Sequence, residues 1–219
     1  MLFRDRKHAG QLLGDELLNL GWQKADIVLG LARGGVPVAF EVAQKLQVPL
    51  DVYVVRKLGV PGHEEYAMGA IGPDQVVVLD QSITRQLRIS DEQVKRVMAE
   101  EEEELNRRIR MYRSSRPSLQ LKDKTVIIVD DGLATGATME AACLSVKKQA
   151  PKEVLAAVPV GAFDSYRDLQ GYADHVVCLS CPDNFFGVGQ WYHHFSQTSD
   201  ETVISLLNQG IDSQRELHV

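Results

Sequence analysis

Two adjacent carboxylates, Asp130 and Asp131, follow four consecutive β-branched residues, Val126, Ile127, Ile128 and Val129. The run is too short for a helix and apolar on both sides, as a strand buried on both faces of a parallel sheet reads. A small-residue loop, 132–138, comes next, and then a helical pattern over about 137–149. The amides and hydroxyls of Thr135, Gly136, Ala137 and Thr138 can converge on one anion, and a helix N-terminus favours negative charge there. The two acids cannot bind phosphate. As acceptor-only groups they suit sugar hydroxyls. Side by side they repel, so they also want donors or a nearby cation. In outline this is a phosphate-sugar site; the plainer alternative is an ordinary strand–turn–helix whose acids carry no chemistry.

A second unit repeats the plan. Ile27–Leu31 reads as a buried strand and runs into Ala32-Arg33-Gly34-Gly35-Val36-Pro37, followed by a helix. Gly34 and Gly35 let a backbone approach something closely, and Arg33 adds a fixed positive charge. The spacing lacks the G-x-G-x-x-G of a dinucleotide fold. A strand over 50–55 ends in Arg56-Lys57, two more cations at a strand end. Towards the carboxyl end, Pro182-Asp183-Asn184-Phe185-Phe186-Gly187-Val188-Gly189-Gln190-Trp191-Tyr192 is aromatic, Gly-rich and follows a strand, where α/β folds place ligands. Its aromatics could equally edge the core. Cys178 and Cys181 with His193 and His194 make a thin case for zinc, because a single cysteine pair is a weak signal and neighbouring histidines tend to point apart.

The elements that must position these groups follow from periodicity. Ala9, Leu12, Leu13, Leu17 and Leu20 give a helix over 5–20, with Asp5 as cap and Gly21 as stop. Residues 59–80 hold four glycines and two prolines with little periodicity, and predict a mobile flap or irregular hairpin within about 56–80. A long helix is expected over 90–113, with Arg116, Pro117 and Ser118 as a linker into the acid-pair strand. Strands over 154–160 and 175–179, a short helix over 165–169 and a last helix over 202–208 complete the chain. The alternation of strand and helix predicts an α/β fold, a mostly parallel sheet of about five strands flanked by helices with a small hood, in one domain over 1–219.

With 219 residues, 44% hydrophobic and 25% charged, the composition is that of a soluble globular protein. A net charge of −6 argues against nucleic acid or an anionic membrane as the main partner. Three cysteines give no disulfide framework, and no apolar stretch follows the charged start, so a cytoplasmic enzyme is expected.

The stretch 126–138 resembles the phosphoribosyl pyrophosphate motif of type I phosphoribosyltransferases: four apolar residues, two acids, two further residues, then a T-G-x-T loop. Gly132 stands where that family usually carries an aliphatic residue. L-A-R-G-G-V-P is similar to the family's pyrophosphate loop, and the flexible hood lies in the corresponding place. The resemblance implies transfer of a phosphoribosyl group to a nitrogenous acceptor. Asp130 and Asp131 would hold the ribose, and Ala134, Thr135, Gly136, Ala137 and Thr138 the 5-phosphate. Arg33, Gly34, Gly35, Arg56 and Lys57 would take the pyrophosphate, with Mg²⁺ held mainly through substrate oxygens and water beside Asp130 and Asp131. The segment 180–196 is similar to the base-binding stretch of 6-oxopurine phosphoribosyltransferases, which makes Phe186 the stacking residue. The lysine those enzymes carry upstream is absent, and Ala134 stands where adenine phosphoribosyltransferases also have alanine, so the acceptor is left unassigned. A non-catalytic sensor of phosphoribosyl pyrophosphate, a ribose-phosphate hydrolase and a homodimer all stay open.

Overall fold

The computed structural model describes residues 1–73, 76–113 and 116–216. Helix α1 (Arg6–Asn19) starts where Asp5 accepts the His8 N–H at 2.8 Å, and stops before Gly21 at φ 84°. Strand β1 (Ile27–Leu31), helix α2 (Gly35–Leu46) and strand β2 (Leu50–Tyr53) form the first strand–helix–strand unit. Where a mobile flap or irregular hairpin was expected, β3 (Arg56–Val60), β4 (His63–Gly72) and β5 (Val76–Leu79) make a three-stranded antiparallel sheet, bulged around Gly59. Asp74 and Gln75, within the expected flap, lie outside the described residues. This hood continues through α3 (Gln81–Gln86), capped by Asp80, and α4 (Asp91–Arg113). Strand β6 (Thr125–Val129), α5 (Ala137–Lys147), β7 (Glu153–Val160), α6 (Phe163–Leu169), β8 (His175–Ser180) and α7 (Asp200–Glu216) follow.

The main sheet has the order β2-β1-β6-β7-β8, and every pairing is parallel, where a mostly parallel sheet was expected. Its period of two divides the core. Val28, Ile127, Val129, Leu155 and Ala157 face α1, α2 and α7, while Leu29, Val126, Ile128, Ala156 and Val158 face α5. Each such Val or Leu contributes about 1.5–3 kcal/mol by burial. The hood shares the first of these cores, because Leu58, Val60, Met68 and Ile71 are buried in it beside Val94 and Leu105 of α4. The Gly/Pro-rich composition of 59–80 thus marks bulges and the hairpin tip at Gly62 (φ 80°), on a sheet that is anchored at its base. Strand β2 stops at Tyr53, two residues short of the expected 55, because the chain leaves the main sheet there to enter β3. Helix α7 is longer than the 202–208 expected. Among the described residues no helix is long and apolar enough to cross a membrane.

Candidate active site

From β1 the chain turns through α2 to β2 on one side; from β6 it turns through α5 to β7 on the other. The loops after β1 and β6 therefore part, leaving a crevice at the carboxyl ends of the two central strands. Open α/β sheets bind ligands at such a switch point. The crevice is a cavity of about 470 Å³, lined in part by Arg6, Arg33, Gly34, Asp130, Asp131 and Thr138. The two glycines are there for space. A Cβ on Gly34 would collide with Asp131 Oδ2, and one on Gly35 would lie 2.6 Å from the Val129 carbonyl oxygen. Only glycines let this loop lie against the acid pair. The peptide bond Ala32–Arg33 is cis.

The acid pair is asymmetric. Asp130 Oδ1 accepts the Asp131 N–H at 2.8 Å, and Tyr192 donates its hydroxyl to the Asp131 carbonyl at 2.6 Å. Arg6, in the first turn of α1, donates Nε to Asp131 Oδ2 at 2.8 Å and brings a second guanidinium nitrogen to 2.7 Å of the same oxygen. The third guanidinium nitrogen donates to the Ser196 carbonyl at 2.6 Å, and the group lies over the Phe195 ring at 3.9 Å. Burial, and then the Asp131 charge, hold the Asp130 carboxyl well above the usual carboxylate range. Burial also raises Asp131, but Arg6 opposes it and favours the anion. Adjacent carboxylates predict a nearby cation. They do not predict which residue supplies it, and Arg6, read only as one of four charges at the start of the chain, was missed.

Below the acids, Gly136 takes φ 83° and caps α5. Glu140 N–H closes the first turn onto the Gly136 carbonyl at 2.9 Å, so the amides of Ala137, Thr138 and Met139 precede the hydrogen-bonded ladder. Thr135 and Thr138 are exposed, and Ser165 Oγ donates to the Ala134 carbonyl at 2.6 Å, tying the loop to α6. The loop has the free amides and hydroxyls of an anion cradle.

The remaining sequence candidates are placed differently. Arg33 lies 3.7 Å from Asp200 at the start of α7, and Tyr112 of α4 donates its hydroxyl to the same carboxylate. Arg56 and Lys57 are not in the acid-pair cavity. They line a separate cleft of about 460 Å³ between the hood hairpin and α4, where Arg56 Nε meets Glu101 at 2.6 Å. Phe186 is 90% exposed, so it is no edge of the core; its neighbour Phe185 instead stacks on Trp191 at 6.5 Å. Val188 packs on Gly132, where a Cβ would lie 2.5 Å from Val188 Cγ1. That contact joins the segment 180–196 to the acid-pair strand and accounts for a glycine at 132. Burial raises the Cys178 thiol. Among the described residues no three His, Cys, Asp or Glu side chains gather as a metal site.

Residues 5–195 match the family described as "Phosphoribosyl transferase domain". Two Mycobacterium tuberculosis proteins, "Putative phosphoribosyl transferase MT0597" of strain CDC 1551 / Oshkosh and "Putative phosphoribosyl transferase Rv0571c" of strain H37Rv, are each 48% identical over 209 residues. The match covers 95% of this chain and 47% of theirs, so the chain spans about half the length of these relatives. The crystal structure of TT1426 from Thermus thermophilus has a TM-score of 0.84 at 43% identity, covering 95% of this chain and 99% of that one.

Proposed function

Since the chain belongs to the phosphoribosyl transferase domain family, we propose that it transfers the phosphoribosyl group of phosphoribosyl pyrophosphate to a nitrogenous acceptor and releases pyrophosphate. One observation carries this reading. The acid pair, Arg33 and Gly34 of the loop after β1, and Thr138 at the N-terminus of α5 line a single cavity at the switch point of the sheet. A ribose carrying a phosphate at one end and pyrophosphate at the other needs those three kinds of partner around it.

In this reading the bond from the anomeric carbon to the pyrophosphate oxygen breaks and a bond to the acceptor nitrogen forms. The proton of that nitrogen leaves to water or to the departing pyrophosphate. The anomeric carbon becomes positive as pyrophosphate departs, so catalysis is mainly positioning and electrostatics. Asp130 and Asp131 accept from the ribose hydroxyls and face the developing positive charge. Residues 134–138 hold the 5-phosphate, and Arg33 with the amides of Gly34 and Gly35 holds the pyrophosphate. Arg56 and Lys57, in the neighbouring cleft, reach the pyrophosphate only if the hood moves. Phe186, exposed beside the Gly132–Val188 contact, stacks on the acceptor. The donor set suits hydrated Mg²⁺: two carboxylates offer hard oxygens without an all-protein cage. Bound there through water, the ion would neutralise the leaving pyrophosphate.

The test is twofold. Calorimetry should show binding of phosphoribosyl pyrophosphate that strengthens with Mg²⁺ and exceeds that of ribose 5-phosphate, pyrophosphate or an unrelated sugar phosphate. Pyrophosphate release across a panel of bases should then require one acceptor, whose KM rises in Phe186→Ala. Release without any acceptor would make the protein a hydrolase, and binding without release a sensor. Equal heats for all the sugar phosphates would remove the proposal.

A further inference from the structure

Behind the ribbon that carries Arg6 lies a second cavity, of about 420 Å³, lined by Arg4, Lys7, His8, His193 and His194 with Asp5 and Gln11. Two distant segments build it. Phe3 pairs with Tyr192 in parallel fashion: Phe3 N–H donates to the Trp191 carbonyl at 2.8 Å, and His193 and His194 donate their N–H groups to the Phe3 and Arg4 carbonyls, each at 2.9 Å. Helix α1 begins at once, so Lys7 and His8 project beside the two histidines.

The charge in this cavity runs against the rest of the protein. The chain has 30 acidic and 24 basic residues, yet this wall carries two fixed cations and three imidazoles against one carboxylate. That carboxylate, Asp5, is turned to the cap of α1 through His8 N–H. Among the described residues neither Arg4 nor Lys7 enters an ion pair. His8 Nδ1 accepts the Arg4 N–H at 3.2 Å, so the neutral ring carries its proton on Nε2 and presents a donor. The ring is held edge-on to Phe3, at 6.4 Å. Clustered donors with little competing acceptor are what a phosphoryl oxyanion requires, and the volume exceeds one phosphate and falls in the range of small-molecule sites.

We propose that this cavity is a binding site for a phosphorylated small molecule, separate from the cavity of the acid pair. The same two segments, 3–6 and 191–196, face both cavities, so an anion held here braces the ribbon that presents Arg6 to Asp131.

Imidazole NMR signals report the site directly. Inorganic phosphate and adenosine monophosphate, at constant ionic strength in chloride, should move the signals of His8, His193 and His194 saturably, with the nucleotide at least as tight. The double variant Arg4→Ala/Lys7→Ala should weaken this at least tenfold. It should fold, because Arg4 uses only its main chain in the ribbon, and unchanged circular dichroism checks this. Lys45→Ala removes a cation paired with Asp15 elsewhere on the surface, and should bind within twofold of the parent. Non-saturating shifts, undiminished binding in the double variant, or equal weakening in Lys45→Ala would each overturn the site. Saturation by phosphate with no nucleotide binding would overturn the small-molecule assignment.

Discussion

Arg6 and Asp131, 125 residues apart in the chain, meet with two guanidinium nitrogens on one carboxylate oxygen, at 2.7 and 2.8 Å. Both side chains are largely shielded, 13% and 14% exposed, so water screens the pair little. The contact occupies Asp131 Oδ2 and ties the start of α1 to the end of β6.

Arg6→Ala should therefore lower both stability and ligand affinity. It leaves two adjacent buried carboxylates without their cation, a change that costs about 3 kcal/mol where such a pair is well buried. Arg6→Lys, with one point charge in place of a planar fork, should recover part of the loss. Urea unfolding and calorimetry with phosphoribosyl pyrophosphate measure the two effects. A variant as stable as the parent would show that the pair contributes nothing to the fold.

Asp130→Asn should separate stability from binding. Burial and Asp131 raise the Asp130 carboxyl above its unfolded value, so its ionised form is disfavoured in the fold. The stability it contributes is fully present below the unfolded pKa and is lost as pH rises through the folded one. Asparagine keeps an oxygen for the Asp131 N–H and removes the charge. Thermal melts from pH 5 to 8 should show the variant gaining on the parent as pH rises. Ligand affinity should fall about tenfold or more, because a bound ribose with its cation favours the ionised acceptor that asparagine cannot become. A variant that loses ground to the parent as pH rises would contradict the sign.

Gly132→Ala should act through Val188. Its Cβ would lie 2.5 Å from Val188 Cγ1, an overpacking that costs about 1–3 kcal/mol. Pairing it with Val188→Ala should restore most of that loss. Relief would displace the segment 180–196, so acceptor KM should change more than affinity for phosphoribosyl pyrophosphate. Additive losses in the double-mutant cycle would mean the two residues do not press on each other.

Hydrogen exchange should divide the hood. Leu58, Met68 and Ile71 are buried in the principal core and should exchange slowly with or without ligand. The tip around Pro61 and Gly62 should exchange fast when empty and slow down once phosphoribosyl pyrophosphate and an acceptor are bound. Lys57→Ala should then weaken pyrophosphate more than ribose 5-phosphate. Slow exchange at the tip of the empty protein would leave the hood with no gating role.

The sequence by itself determined what short-range physics controls. Four β-branched residues can only be comfortable as a buried strand, and two acids followed by a Gly/Thr turn must sit at its end, so β6, Asp130, Asp131 and the start of α5 were legible. So were β1 and the glycines after it, and Asp5 as a helix cap. What needed tertiary structure was every relationship set by which strands lie side by side. The switch point exists because β1 and β6 are neighbours although β2 and the whole hood intervene in the chain. Arg6 looks like any solvated charge in Arg4-Asp5-Arg6-Lys7 until the pairing of Phe3 with Tyr192 delivers it to Asp131. Arg56 and Lys57 stand next to a strand end in sequence, yet the departure of the chain into β3 carries them to a different cleft. A side chain's local pattern fixes its element and its face; its partners depend on how elements remote in sequence are stacked, and no local pattern encodes that.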